Sequence, residues 1–400
     1  MSSRYDVVVV GSRVAGASTA LLLARGGARV ALVERAAYGT DTVSTHALMR
    51  AGVHQLHRWG LLDEIVATGV PAVRRTTFHY SDGEPVEVAI RSSAGVAALY
   101  APRRHVLDRM LVDAAGAAGV DVRHQAVVTA LLGDNTGRVG GVRLADRAGR
   151  AFDVPAMITV GADGIRSTVA DGAGSAVVRR GRSCSAMLYR YYADLPATGY
   201  EWAYGHRAAA GFIPTNEGRT GVFVGTTPCR LRALRRDGTE RAFATLLAAA
   251  APRLAERIAS AAPDSRVRGW AGATGFMRRA WGPGWALVGD AGYFKDPITT
   301  HGMTDALRDA ELLADAILEA LAGVVPEAVA LARYEAIRDT LSSELFDVTE
   351  RVASYAWGLD EVRSLLRQVS SAMNAEVRHA QSLPSPRTSR RHVVGHSVRC

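Results

Sequence analysis

The spacing of apolar residues changes period several times along the chain, and the first change carries the most information. Val7 to Val10 is a short, unbroken apolar run, as expected of a parallel strand buried on both faces. Gly11 ends it and allows a tight turn. From near Val14, Ala17, Ala20, Leu21 and Ala24 recur at helical spacing until Gly26 and Gly27 stop the helix. A second apolar strand, Ala28 to Val33, closes on Glu34. This order of strand, glycine turn, helix, strand and acid predicts a dinucleotide-binding unit. In such a unit a pyrophosphate lies on the helix N-terminus, where free N–H groups and the helix dipole favour negative charge, and the acid holds ribose hydroxyls.

The glycine fingerprint is incomplete. It reads Gly11-Ser12-Arg13-Val14-Ala15-Gly16, with Arg13 at the position where a second glycine normally lets backbone approach phosphate. An arginine offers the phosphate a charge in exchange.

After a loop from Ala36 to Thr45, the pattern predicts a helix over His46 to Trp59, with Leu48, Val53, Leu56 and Trp59 inward. Val73 to Leu99 alternates as antiparallel strand, with Phe78 and Tyr80 on one face and Val86, Val88 and Ile90 on one face of the next. A helix over Arg103 to Ala118 follows, then one strand over Val120 to Leu132 and a hairpin excursion through Val139 to Leu144 and Phe152 to Val154. Met157 to Gly161 is a buried strand running into an Asp163-Gly164 turn. Ser185 to Thr227 is rich in aromatics at strand spacing and predicts a second, antiparallel sheet. Helices over Arg230 to Ala250 and Pro252 to Ala261 come next. A strand at Trp285 to Gly289 then returns to the first sheet and leads into a long helix ending at Ala322. Helices from Pro326 to about Ala375 form a C-terminal cap, and the Ser/Pro/Arg-rich tail beyond Gln381 reads as flexible.

Composition narrows the function class. Four hundred residues, 48% apolar, can bury a large core. No run reaches membrane-spanning length and no signal peptide opens the chain, which predicts a cytoplasmic protein without stable membrane insertion. Three cysteines, Cys184, Cys229 and Cys400, are too scattered for a disulfide framework or a metal site. The net charge of +9 is spread along the chain rather than clustered, so nucleic acid is not an expected partner. Lys295 is the only lysine among 48 basic residues. Nothing sets the oligomeric state.

Three stretches together resemble FAD-dependent monooxygenases of the p-hydroxybenzoate hydroxylase type, within a superfamily that includes flavin halogenases and geranylgeranyl reductases. They are the N-terminal unit, Gly161-Ala-Asp163-Gly164-Ile-Arg166-Ser167, and the run from Gly289 to Met303. The resemblance implies an α/β fold: a Rossmann-like FAD-binding domain with an inserted antiparallel-sheet substrate domain and C-terminal helices. Its segments would be 1–73, 100–178 and 270–325 for FAD, 74–99 and 179–269 for substrate, 326–380 for the helices and 381–400 for the tail.

The resemblance also implies site roles. Gly11, Arg13, Val14, Ala15 and Gly16 would meet the pyrophosphate, Glu34 and Arg35 the adenosine side, and Val128 the adenine through its backbone. Arg104 would contact the flavin side and Asp163 would brace the pyrophosphate region. Asp290 would hold the ribityl chain, and Pro297, Gly302 and Met303 would border the flavin at a helix start. That helix end would stabilise the negative charge of reduced flavin. NAD(P)H would dock transiently, because no second fingerprint exists. It would reduce the flavin, O2 would form a flavin hydroperoxide, and a small, planar substrate would be hydroxylated.

Some residues depart from the hydroxylase pattern. Hydroxylases of this type carry a His and a Pro-Pro pair where this chain has Tyr293 and Asp296-Pro297; the Asp-Pro form is similar to halogenases and geranylgeranyl reductases. Halogenases rely on an early lysine and a Trp-x-Trp-x-Ile-Pro signature. Residues 36–100 have no lysine, and Trp270 is followed by Ala271 and Gly272. A double-bond reductase thus stays open as the rival, with a halogenase and a non-catalytic flavin-binding protein behind it. Lys295 is a catalytic candidate, pairing with Asp296 or with flavin, substrate or peroxide oxygen, against a surface lysine kept by chance. His46 is a second, since its ordinary pKa suits proton transfer, against a capping or core histidine. Tyr189, Tyr191, Trp202, Tyr204 and Phe212 are candidates for stacking on an aromatic substrate.

Overall fold

The Val-rich run forms strand β1 (Tyr5–Val10), and its interior explains its composition: Val7, Val8 and Val9 have no exposed surface. It lies between β2 (Val30–Glu34) and the strand Ala151–Gly161, parallel to both, with Val8 opposite Ala31 on one side and Thr159 on the other. Helix α1 (Val14–Arg25) crosses between β1 and β2. The computed structural model describes residues 4–259 and 261–386. Of the expected flexible tail, residues 387–400 lie outside the described residues; the last helix runs on to Ser382.

The first sheet has eight strands. Its parallel centre is completed by Asp121–His124 beside β2 and Trp285–Leu287 beside Ala151–Gly161. Two expectations change here. The single strand expected over Val120 to Leu132 breaks at Gln125, whose φ of 57° turns the chain. The first part pairs with β2, and Val127–Gly133 pairs antiparallel with Val139–Ala145. Conversely, the hairpin arm at Phe152 and the buried strand at Met157 are one element. The first half of Ala151–Gly161 pairs antiparallel with Val139–Ala145 and the second half parallel with β1.

The helix expected from His46 begins only at Arg50. His46 takes φ 63° and Leu48 bridges to Tyr100, so this stretch is a folded loop against the next domain segment rather than a first helical turn.

The second sheet has seven strands in the order Arg268–Trp270, Ala186–Ala193, Arg219–Thr226, Ala208–Pro214, Tyr200–Gly205, Arg75–Tyr80 and Val86–Ala89. It is antiparallel except where Tyr200–Gly205 runs parallel to Arg75–Tyr80. The last strand is an exposed edge, and Val86 and Val88 stay in solvent. Strand alternation separates two faces. Leu188, Val222, Val224 and Phe212 pack against Phe243 and Leu246 of the helix Thr239–Ala250. Met187 and Tyr204 pack on the other face against Leu345, Val348, Val352, Leu365 and Val369 of the helices Glu327–Ala353 and Leu359–Ser382.

This division separates the stacking candidates. Phe212 is fully buried on the face packed by the helix Thr239–Ala250, because its register opposite Val222 and Glu201 points it away from Trp202 and Tyr204. Phe212→Ala would leave a cavity in that core and is predicted to lower stability by about 3–5 kcal/mol. Thermal unfolding checks this, and ligand affinity of the folded variant should match that of the parent.

Candidate active site

Backbone crowding shapes the phosphate turn. Gly11 has φ +100°, and a Cβ there would lie 2.5 Å from the Ala162 carbonyl oxygen; a Cβ on Gly16 would lie 1.7 Å from the Gly11 oxygen. Only glycine fits either place. Arg13 needs no such freedom, since as the residue before α1 it is extended, with φ −81° and ψ −171°. Its Nη1 stands 3.5 Å from Asp108 and has no hydrogen-bond partner within the chain. Burial, reinforced by the Arg104 charge, pushes its pKa down. Asp108 also takes two 3.1 Å hydrogen bonds from Arg104. It was missed in the sequence, although its position four residues after Arg104 on a helix was a usable signal.

Glu34 is buried and accepts hydrogen bonds from the Ser12 N–H at 2.9 Å, the Ser12 hydroxyl at 3.3 Å and the Ala36 N–H at 2.9 Å. Beside it opens a cleft bordered by Ser12, Arg13, Glu34, Tyr38, Asp108 and His124. Arg35 is exposed and Val128 packs against the Val8–Val10 core; neither borders that cleft. Asp163 accepts from the Ser167 hydroxyl and from the Thr168 and Val169 N–H groups at 2.7 and 3.3 Å, so it caps the short helix Thr168–Gly172. Burial raises its pKa.

The second motif folds back onto α1. Gly289, at φ +60°, approaches Ala15 so closely that a Cβ would sit 2.8 Å from the Ala15 Cβ. Asp290 follows, with part of its surface open to solvent but crowded by protein on its other sides; this burial pushes its carboxyl up to about 6 against the opposing pull of Lys295. The helix Gly302–Leu321 starts without a side-chain cap, and Gly302 is exposed, with Asp290 Oδ1 4.0 Å from where its Cβ would be. Met303 is buried and touches the Ser44 hydroxyl through its sulfur. The first N–H groups of this helix thus lie beside Asp290 without a side-chain cap.

Beneath that helix start lies a buried ionic cluster. Lys295 is 5% exposed and pairs with Asp305, not with Asp296, whose carboxylate takes the Ser185 hydroxyl at 2.6 Å and the Ile298 N–H at 2.9 Å. Arg308 meets Asp305 at 3.2 Å and Glu376 at 2.8 Å, and His301 also pairs with Glu376. His301, Asp305 and Glu376 could bring donor atoms within 4.8 Å of one another. Lys295 and Arg308 already neutralise those carboxylates, which argues against a metal there.

On the other side of the Pro297–Thr300 turn is a cavity under the second sheet. Trp202, Tyr204, Met187, Phe223, Pro297 and Ile298 line it, with Thr45, Thr300 and Tyr355. Tyr189 stands behind this wall, stacked on Phe223 at 5.3 Å and edge-on to Tyr191 at 6.0 Å. The Tyr191 hydroxyl hydrogen-bonds His46 Nε2, and Arg103 covers the Tyr191 ring at 4.2 Å while pairing with Asp41 at 2.8 Å. Lys295 does not line the cavity.

The second motif packs on α1 where Gly289 meets Ala15, and a family profile described as "FAD binding domain" matches residues 4–349. The chain belongs to this family. FAD is its cofactor, and the residues fit it: a Cβ-free cradle at Gly11 and Gly16, an unpartnered buried Arg13 N–H, and Glu34 with carboxylate lone pairs to spare. A digeranylgeranylglycerophospholipid reductase of Methanosarcina mazei is 27% identical over 337 residues, covering 80% of this chain and 77% of the relative. A solved structure of a probable FAD-dependent monooxygenase from Pseudomonas aeruginosa is 26% identical, with TM-score 0.73, covering 93% of this chain and all of that one. The myxobacterial chondrochloren halogenase is also 26% identical, with TM-score 0.79 and coverage of 97% and 94%. The chain is thus an FAD-dependent oxidoreductase.

Sequence reasoning gave His46 an ordinary pKa; the structure does not. His46 is 1% exposed, and burial with the Arg103 and Arg104 charges lowers its pKa to about 3, so it is neutral at pH 7. The unfolded chain therefore binds more protons between pH 6.5 and about 3, and stability falls as pH drops through that window. At pH 5 the loss is about 2 kcal/mol. His46→Asn, which tolerates the positive φ, should remove that share of acid destabilisation, measurable by denaturant titration at pH 5 and pH 7.

Proposed function

We propose that the protein is an NAD(P)H-dependent FAD monooxygenase that hydroxylates a small aromatic substrate in the cavity under the second sheet. The observation that carries this is the aromatic cavity itself, which adjoins the turn leading to the uncapped helix start at Gly302. Its aromatic and apolar lining suits a planar ring. The balanced reaction takes a substrate C–H, O2, NAD(P)H and a proton to a C–OH, water and NAD(P)+.

Bound FAD supplies hydride acceptance and oxygen activation. The chain's own residues position and shield. The N–H groups at Gly302 and Met303 favour negative charge at the cofactor, and Asp290 contributes a hydrogen-bonding carboxyl beside them. Met187, Phe223, Ile298 and Pro297 keep the cavity dry. His46 Nε2 holds the Tyr191 hydroxyl, tying the second sheet to the first domain; as a neutral imidazole it serves positioning rather than base catalysis. Lys295 and Arg308 fix the helix start through Asp305.

A second reading, a reductase of carbon–carbon double bonds, is favoured by the names of the 27%-identical relatives. The aromatic lining argues for the first reading, because Trp202, Tyr204 and Phe223 offer ring faces and edges to a planar substrate. A halogenase reading is weakened by a cavity without a lysine. NAD(P)H oxidation assayed with phenolic and indolic compounds separates these readings. The oxygenase reading predicts stimulation that requires O2 and a product heavier by one oxygen. Oxidation that proceeds without O2 and yields a saturated product would replace it with the reductase.

A further inference from the structure

Val86–Ala89 is the outer strand of the second sheet and is paired on one side only, with Arg75–Tyr80. All of its residues are exposed, and Val86 and Val88 keep 51% and 46% of their surface in solvent. Edge strands are usually blunted by a lysine, a proline, a bulge or a covering element, because their free N–H and C=O groups invite another strand. None of these occurs within Val86–Ala89. Its one charge, Glu87, is engaged by Arg75 of the same sheet at 3.1 Å.

The hairpin that carries this edge is steadied from both faces of the sheet. Asp82, in the turn before the strand, pairs with Arg363 of the helix Leu359–Ser382 on one face. Glu84 pairs at 3.1 Å with Arg253 of the helix Pro252–Ala259, which packs on the other. Neither helix reaches over the valines.

The direction of the free backbone groups follows from the ladder. The Ile90 N–H donates to the Arg74 carbonyl at 2.9 Å, and Val88 and Val86 stand opposite Thr76 and Phe78 in the same register. Bonding groups alternate in direction along an antiparallel strand, so those of Glu87 and Ala89 point outward. The row Val86, Val88 and Ile90 on one face is symmetric about its middle member. A second copy running antiparallel about a two-fold axis through Val88 therefore sets Val88 against Val88 and Val86 against Ile90. Glu87 and Ala89 then exchange both backbone hydrogen bonds across the seam. On the other face, Glu87 lies diagonal to the opposite charge of Arg91 in the second copy. An axis through Glu87 would instead place two glutamates directly opposite each other.

We propose that the Val86–Ala89 edge is a homodimer interface, at which two copies of this chain join their second sheets into one continuous sheet. The match is isologous, since both copies use the same patch. A strand pair this short buries little area, so the dimer exchanges readily with monomer. The proposal does not depend on which reaction the site carries out.

Sedimentation equilibrium of the full FAD-loaded chain, taken up to about 100 µM, tests for a concentration-dependent dimer. Val88→Lys brings two ammonium groups together at the axis and should weaken dimerisation by at least about tenfold. Because Val88 is exposed, flavin content and melting temperature should stay at the parent values, which establishes that the variant folds. The register has its own test under mild oxidation. Val88→Cys should form a disulfide between chains, since the two Cα atoms of such a facing pair lie about 4.5 Å apart. Val86→Cys, equally exposed but facing Ile90, should not, and it controls for the native cysteines. A chain that stays monomeric at every concentration, a Val88→Lys variant that dimerises like the parent, or equal cross-linking of the two cysteine variants would each overturn the proposal.

Discussion

Three backbones meet at the turn after β1 with no room for a side chain among them. The Ala162 N–H donates to the Val10 carbonyl at 2.8 Å, the Gly11 N–H donates to the Val33 carbonyl at 2.8 Å, and Gly16 presses on the Gly11 oxygen. This contact joins the ends of β1, β2 and the strand Ala151–Gly161 to the start of α1. It leaves the first N–H groups of α1 facing outward, which is what an anionic group needs. The placement of Glu34, Arg13 and Asp108 follows from it. Each reaches the same opening from a different element, and each would move if the turn widened.

The second support is electrostatic. Glu376, near the end of the chain, joins His301 and Arg308 at the start of the helix Gly302–Leu321, and Lys295 completes the group through Asp305. Such buried pairs add little net stability, but losing one partner leaves an uncompensated charge and costs about 3–5 kcal/mol. The cluster therefore fixes position more than it stabilises. It anchors the start of the helix Gly302–Leu321 to a helix that also covers the cavity-side face of the second sheet. A compact ammonium suits this crowded position beside Arg308 better than a second guanidinium.

Much of the fold was legible. Unbroken apolar runs, glycine stops and strand alternation located β1, α1, β2, the long helix and the second sheet. What they could not locate depended on distant contacts. The break at Gln125 comes from pairing with β2 on one side and a hairpin on the other, and no periodicity marks it. His46 looks helical by pattern but is held in the left-handed region by a loop closed against Tyr100. Aromatic spacing picked out Trp202, Tyr204 and Phe212 together but could not say which face of the sheet each would take, and Phe212 lies on the face opposite the other two. Among site residues, the glycines and Glu34 announced themselves by spacing. Lys295 stood out by composition, yet its partner Asp305 did not. Glu376 lies in a C-terminal helix, where nothing local marks a role.

The central claim is that the adenosine and pyrophosphate half of the cofactor is gripped at the β1–α1 turn and beside Glu34, while the flavin half lies along Asp290 and the helix start at Gly302. Equilibrium titration of the flavin-free protein with FAD and with FMN tests this directly, because FMN keeps the flavin and one phosphate but lacks the adenosine. The account predicts one FAD per chain, with FMN weaker by at least about 100-fold. FMN binding as tightly as FAD, or no uptake of FAD by the folded chain, would contradict it.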